Sequence, residues 1–271
     1  MIKLLALDLD DTCLNWNNKI TPLTIQALKK AAEKGVEIVF VTGRSYETLP
    51  HRLKKEKFFR YVISSNGACV VDRNTEEVIY HSYISLDTTL SLLKIAKEWM
   101  LGITVHMDKK HVVEGKMLLL LGRFLYDKDS RKTIAVKDMM KHIARKGDKI
   151  EEIHLFFFKE SKRQRVEQLR KEYPSLNAPM SRFCVEFVTA ETTKGNALEW
   201  LYKKLGFDQS EVACIGDGEN DIPMFEKSGL RFAVDNAQEH LKSIAHFVVP
   251  GNNEDGVSVA IEKILNSNTD L

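Results

Sequence analysis

The chain has 271 residues, with 40 basic and 38 acidic side chains and a formal net charge of +2. That balance argues against a general nucleic-acid binder, and an apolar content of 44% suffices for one large or two modest packed domains. Four cysteines, Cys13, Cys69, Cys184 and Cys214, show no metal or redox spacing; scattered thiols suit a reducing compartment, so the expectation is cytoplasmic. No signal-peptide pattern precedes the first apolar run, and Met117 to Leu121 is far too short to span a membrane.

Ile2 to Leu7 is a short apolar run that reads as a buried parallel strand. Asp8-Leu9-Asp10-Asp11-Thr12 follows at its carboxyl end, the edge where open α/β sheets bind ligands. Thr21-Pro22 starts a helix that runs to about Lys34 and stops at Gly35. Glu37 to Val41 is a second strand, closed by Thr42-Gly43-Arg44. A helix is predicted from about Ser45 to Lys55, then a third strand from Tyr61 to Ser64. Ala68 to Asp72 and Val78 to His81 form a predicted hairpin.

After about Ser82 the alternation changes. Helices are predicted at Leu86 to Met100, Lys137 to Arg145 and Ser161 to Lys171. Strands are predicted at Thr104 to Met107, Val112 to Glu114, Ile153 to Phe158 and Cys184 to Val188. This reads as an inserted α+β unit, and residues 1–84 and 187–271 read as one core around an insertion at 85–186. The α/β pattern resumes at Ala190, with a helix opening at Thr193-Lys194-Gly195 and a strand at Val212 to Ile215. Gly216-Asp217-Gly218-Glu219-Asn220-Asp221 then leads into a helix near Ile222-Pro223. The tail, Asn266 to Leu271, is expected to fray.

Two strands therefore end in carboxylate clusters. Carboxylates gathered at one sheet edge repel each other unless a cation lies between them, and a hard divalent ion such as Mg²⁺ with oxygen ligands is the common solution. Thr42-Gly43 offers a hydroxyl and backbone N–H groups of the kind that cradle phosphate, although the dipeptide alone is an ordinary turn. Lys194 at a helix N-terminus opposes the macrodipole and is better explained if it reaches an anion. Phe156-Phe157-Phe158 reads as core, the lysine and arginine runs as solvated surface, and Cys13 as a packing residue. His106, His111 and His154 stand at no convincing ligand spacing; His154 lies on a strand that could face a site.

Taken in order, these motifs resemble the haloacid dehalogenase superfamily. Asp8 to Thr12 matches its D-x-D-x-T motif, Thr42-Gly43 its second motif, Lys194 its third and Gly216 to Asp221 its G-D-G-x-N-D fourth. Ser65-Asn66-Gly67-Ala68 and Asn252 to Val257 are similar to the Cof-type sugar-phosphate phosphatases within it. Two positions depart from the pattern: Asp11 stands where Gly is usual, and Cys13 where an aliphatic residue is usual. The resemblance implies a Rossmann-like, doubly wound parallel-sheet core with an inserted α+β cap of the C2B type. It also implies a Mg²⁺-dependent phosphatase acting on small phosphorylated metabolites through an aspartyl-phosphate.

By the same resemblance Asp8 is the nucleophile and Asp10 the general acid and base. The Asp8 carboxylate, the Asp10 carbonyl and Asp217 hold the metal, and Asp221 orients it from behind. The Leu9 N–H, Thr42, Gly43, Lys194 and Asn220 hold the phosphoryl oxygens, with Arg44 and Asn66 as substrate contacts. Cytosolic monomers working without nucleic acid or membrane are expected. The rivals are a phosphomutase or phosphotransferase on the same site, and a non-catalytic binder of a phosphorylated ligand.

Overall fold

The computed structural model describes residues 1–120, 132–147 and 149–268. Leu121 and the tail residues 269–271 lie outside them. In chain order the elements are β1 (Leu4–Asp8), α1 (Pro22–Glu33), β2 (Glu37–Val41), α2 (His51–Lys55), β3 (Tyr61–Ser64), β4 (Cys69–Asp72), β5 (Glu77–His81) and α3 (Leu86–Glu98). There follow β6 (Gly102–Met107), β7 (Lys110–Glu114), β8 (Ile134–Val136), α4 (Met139–Lys146), β9 (Ile150–Phe156), α5 (Glu160–Glu172), β10 (Leu176–Asn177) and β11 (Cys184–Thr189). The last are α6 (Lys194–Lys204), β12 (Val212–Gly216), α7 (Ile222–Glu226), β13 (Leu230–Val234), α8 (Glu239–Ile244), β14 (Phe247–Val249) and α9 (Gly256–Ser267). The chain divides into two compact units: Met1–Gly43 with Arg52–Tyr80 and Thr193–Leu271, and Arg44–His51 with His81–Thr192.

The first unit is built on an eight-stranded sheet in the order β14-β13-β12-β1-β2-β3-β4-β5. The pairs from β14 to β3 are parallel, and β4 returns antiparallel to β3. All five residues of β1 and of β12 are buried, as continuous apolar runs covered on both faces must be. Helices α1 and α9 pack on each other and on β2 and β13, while α6 packs on α7, β3 and β4. Local chemistry sets the helix ends. The Thr21 hydroxyl caps α1 by accepting from the Thr24 N–H at 3.1 Å, Pro22 occupies its first turn, and Gly35 follows it at φ 84°.

The second unit has a six-stranded sheet in the order β10-β11-β9-β6-β7-β8. Its strands alternate in period 2. Ile103, Val105, Ile153, Leu155, Val185 and Phe187 join one apolar core with residues of α3, α4 and α5. β11 continues in this sheet to Thr189, past residue 186.

Several local expectations are corrected. The helix expected from Ser45 to Lys55 is a 3₁₀ turn at Tyr46–Thr48 followed by the short α2. Pro50 explains the break: it has no N–H to donate and drives Leu49 to ψ 147°, outside the helical region. Phe157 is buried in the core, but Phe158 lies beyond the end of β9 and is 67% exposed, so the aromatic run is not wholly core. Among the described residues no helix is long and apolar enough to cross a membrane.

Candidate active site

The parallel register builds the site. β1 and β12 are neighbours with Leu7 opposite Ile215, and β2 flanks β1 with Val41 opposite Asp8. Asp8 therefore ends its strand level with Gly216, and Asp217 and Thr42 follow at the same sheet edge. The carboxylates of Asp8, Asp217 and Asp221 converge, each offering an oxygen within 4.8 Å of the others.

Lys194 holds two of them. Its ammonium donates to Asp8 Oδ1 at 2.6 Å and to Asp221 Oδ1 at 2.7 Å, and the side chain is 1% exposed. Burial works against its charge, but Asp221 and Asp8 outweigh burial and raise the lysine pKa. This is the anion its position at the start of α6 called for. Asp221 Oδ2 accepts the backbone N–H groups of Asp217 at 2.9 Å and Gly218 at 3.0 Å, so both of its oxygens are held by the protein. Thr12 donates to Asp217 Oδ1 at 2.7 Å. The D-x-D-x-T motif contained Thr12, but only the register of β1 against β12 reveals what its hydroxyl does.

Two glycines make room for this arrangement. A Cβ on Gly216 would lie 2.6 Å from Asp221 Oδ2, and one on Gly195 would lie 2.1 Å from the Pro223 carbonyl oxygen. The first would push Asp221 away, and the second would separate α6 from α7.

Asp10 is half-buried and is not one of the three converging carboxylates. Leu9 is fully buried in the turn after β1. Thr42 is fully buried, and its carbonyl accepts the Asn66 N–H at 3.1 Å. The Asn66 amide lies against Gly43 and accepts from Asn220 Nδ2 at 3.2 Å, so the second and fourth motifs meet through it. Arg44 lies in the second unit, where its guanidinium reaches the Thr48 carbonyl at 3.4 Å. Cys13 is buried, and burial together with Asp8 and Asp10 pushes its thiol pKa well up, which argues against a thiolate nucleophile.

Asp11 adopts φ 56°, the left-handed region. That conformation accounts for the Gly expected there, and aspartate is one of the few L residues that tolerates it. Asp11→Gly is expected to leave thermal stability nearly unchanged, whereas Asp11→Ala should cost about 1 kcal/mol. Equal melting temperatures for the two variants would refute this account.

Three carboxylates face a single ammonium. Burial raises the Asp8 pKa, with Lys194 opposing and Asp221 and Asp217 adding to the rise. Burial likewise pushes Asp217 up to about 6, against its hydrogen bond from Thr12 and with repulsion from Asp221. Asp8 and Asp217 each commit one oxygen to a protein donor. An all-oxygen, electron-rich set with excess negative charge fits a hard divalent cation.

The sign of the pH effect follows. A carboxyl whose folded pKa exceeds its unfolded value of about 4 destabilises the fold as pH rises through that interval. In chelator, Asp217→Asn should therefore match wild type near pH 4 and gain relative stability up to and beyond pH 6, by as much as about 3 kcal/mol. Melting temperatures of both proteins across pH 4 to 8 test this, and a constant difference would count against it.

Residues 5–261 match the family described as haloacid dehalogenase-like hydrolase. A Bacillus subtilis (strain 168) protein named 5-amino-6-(5-phospho-D-ribitylamino)uracil phosphatase YcsE is 27% identical, over 96% of this chain and 94% of its own. A haloacid dehalogenase-like hydrolase from Bacteroides thetaiotaomicron superposes with a TM-score of 0.85 at 26% identity, covering 97% of this chain and 100% of that one. The phosphatase BT1666 of the same organism superposes with a TM-score of 0.79 at 26% identity, covering 97% of this chain and 95% of that one.

Proposed function

Because this chain belongs to the haloacid dehalogenase-like hydrolases and is a phosphatase of that family, we propose that it hydrolyses small phosphorylated metabolites in a Mg²⁺-dependent reaction centred on Asp8. The observation that carries this is the convergence of Asp8, Asp217 and Asp221 with Lys194 at the ends of two adjacent parallel strands. Sugar phosphates and related monoesters are the proposed substrate class. The ribityl phosphate in the name of the 27%-identical relative belongs to that class.

An Asp8 oxygen attacks phosphorus and the bond to the ester oxygen breaks. Asp10 gives its proton to that leaving oxygen. A water then attacks the phosphorus of the aspartyl-phosphate and passes its proton to Asp10, and inorganic phosphate leaves with Asp8 regenerated. Lys194, Thr42, the Leu9 and Gly43 backbone N–H groups and Asn220 stabilise the charge on the transferring oxygens. Asp8, the Asp10 carbonyl and Asp217 would hold Mg²⁺, with Asp221 fixing the Gly216–Gly218 turn behind them. When bound, the ion supplies positive charge that keeps Asp8 ionised and offsets charge on the phosphoryl group. Asn66 joins Gly43 to Asn220 and so positions the phosphate-binding groups. Every one of these residues lies in the first unit.

Phosphate release from a panel of phosphomonoesters, with Mg²⁺, with Ca²⁺ and in excess chelator, tests the reading. Turnover should need Mg²⁺. Ca²⁺ should substitute poorly because it takes more ligands at longer bonds. Undiminished turnover in chelator would remove the cation, and no release from any monoester would remove the activity.

A further inference from the structure

His106 stands 46 residues before Glu152, and Glu152 only two before His154; the antiparallel pairing of β6 with β9 brings all three together. Glu152 stands opposite His106, and His154 stands opposite Thr104. The alternation that sends Ile103, Val105, Ile153 and Leu155 into the apolar core turns Thr104, His106, Glu152 and His154 onto the other face. That face is also closed off: Thr104 and His106 are 4% exposed, Glu152 is 0% exposed, and the His154 side chain is 15% exposed.

We propose that His106 Nδ1, Glu152 Oε2 and His154 Nε2 form a second metal site, distinct from the carboxylate cluster, that takes a borderline transition-metal ion of the Zn²⁺ class. The two nitrogens each lie 3.2 Å from the same oxygen, Glu152 Oε2. All three ligand atoms fall within 4.8 Å of one another. Bonds of about 2.0–2.1 Å at tetrahedral angles put neighbouring ligand atoms about 3.3–3.4 Å apart, so two of the three edges already stand near that spacing. Two imidazoles and a carboxylate are a Zn²⁺ donor set, whereas the three carboxylates of the first unit suit a hard ion.

A proton shared within the group would explain the same short distances. Against that, His154 Nε2 is buried and makes no hydrogen bond of acceptable geometry, although Glu152 Oε2 is within reach. Thr104 Oγ1, opposite His154, is also buried without a hydrogen bond. A hydrogen bond needs its proton on the line between two atoms; a metal needs only a point at which the ligand atoms converge. The ligands sit on two paired strands whose apolar face is fixed by the core, so the constellation is preorganised. Three protein ligands leave the fourth position to water or to an oxygen of a bound molecule.

The test is a Co²⁺ titration of the full chain in saturating Mg²⁺, read by visible absorption. Tetrahedral Co²⁺ with nitrogen ligands absorbs strongly there, while octahedral Co²⁺ with oxygen ligands absorbs weakly. Wild type and Asp217→Asn should both give the strong bands, and Zn²⁺ should bleach them. His154→Ala and Glu152→Gln should lose the bands, or need more than the about 10–100-fold excess that loss of an outer partner costs. His154→Gln keeps the volume should the alanine variant not fold, and circular dichroism verifies each. Absence of strong bands in wild type, or their persistence in both His154 and Glu152 variants, would leave the group a proton-sharing ion pair and overturn the site.

Discussion

Asp8→Asn is expected to lower turnover by at least about 10⁴-fold, because the proposed covalent intermediate forms on the Asp8 carboxylate. Wild-type protein quenched in acid during turnover should carry a hydroxylamine-sensitive phosphoryl group, and the variant should carry none. The fold should survive. The substitution keeps volume and removes a carboxylate whose charge is already disfavoured by burial and by repulsion from Asp221 and Asp217. In chelator near neutral pH the variant should be at least as stable as wild type, since burial together with repulsion from Asp221 and Asp217 outweighs the pairing with Lys194 and raises the Asp8 pKa. Full activity in the variant would end the role assigned to Asp8; inactivity with a lowered melting temperature would shift the explanation to structure.

Lys194→Met should have the opposite effect on stability. Among the described residues the ammonium is the positive charge that bridges Asp8 and Asp221, both of which it meets within 2.7 Å. Removing one partner of a buried ion pair leaves charge that nothing offsets, at a cost of about 3–5 kcal/mol. The loss should be largest in chelator at neutral pH and should shrink as pH falls. With the lysine gone the folded pKa of Asp8 rises further, and its protonation relieves the repulsion from Asp221. Mg²⁺ should restore part of the stability without restoring turnover, because the phosphoryl oxygens would lose the charged donor proposed for them, worth about 10²–10³-fold in rate. A Lys194→Met protein within about 0.5 kcal/mol of wild type at pH 7 in chelator would show that the cluster does not depend on this charge.

What was legible in the sequence was local. Apolar runs that fill a strand, such as Leu4–Asp8 and Val212–Gly216, announce burial on both faces, and carboxylates placed directly after them mark the ligand-binding edge. Lys194 could be singled out because a cation at a helix start is electrostatically misplaced without an anion nearby. Other features were hidden because they depend on pairing. β8 and β10 are three and two residues long, too short to show a period. The link from Asn66 to Gly43 and Asn220 joins segments with no common pattern. His106 and His154 have no ligand spacing in sequence; only strand register sets His106 opposite Glu152, which lies two residues before His154. The helix expected from Ser45 to Lys55 does not form as one piece, because Pro50 holds Leu49 out of the helical region.

The order in which the sheet's strands occur along the chain has a consequence for synthesis. β1 lies between β2 and β12, and Val212, the first residue of β12, pairs with Leu4. At about 5–20 residues per second, β12 follows β1 out of the ribosome by about 10–40 s. Until Val212 emerges β1 has at most one strand partner and an open edge of main-chain donors and acceptors, and the entire second unit, which ends at Thr192, emerges within that interval. The second unit can therefore finish folding before the first can close. The carboxylate cluster is among the last features to form, since Asp217 and Asp221 do not exist until then. A ribosome halted anywhere before Val212 would hold a chain with Asp8 in place, no phosphatase site, and a sheet edge exposed to any passing strand.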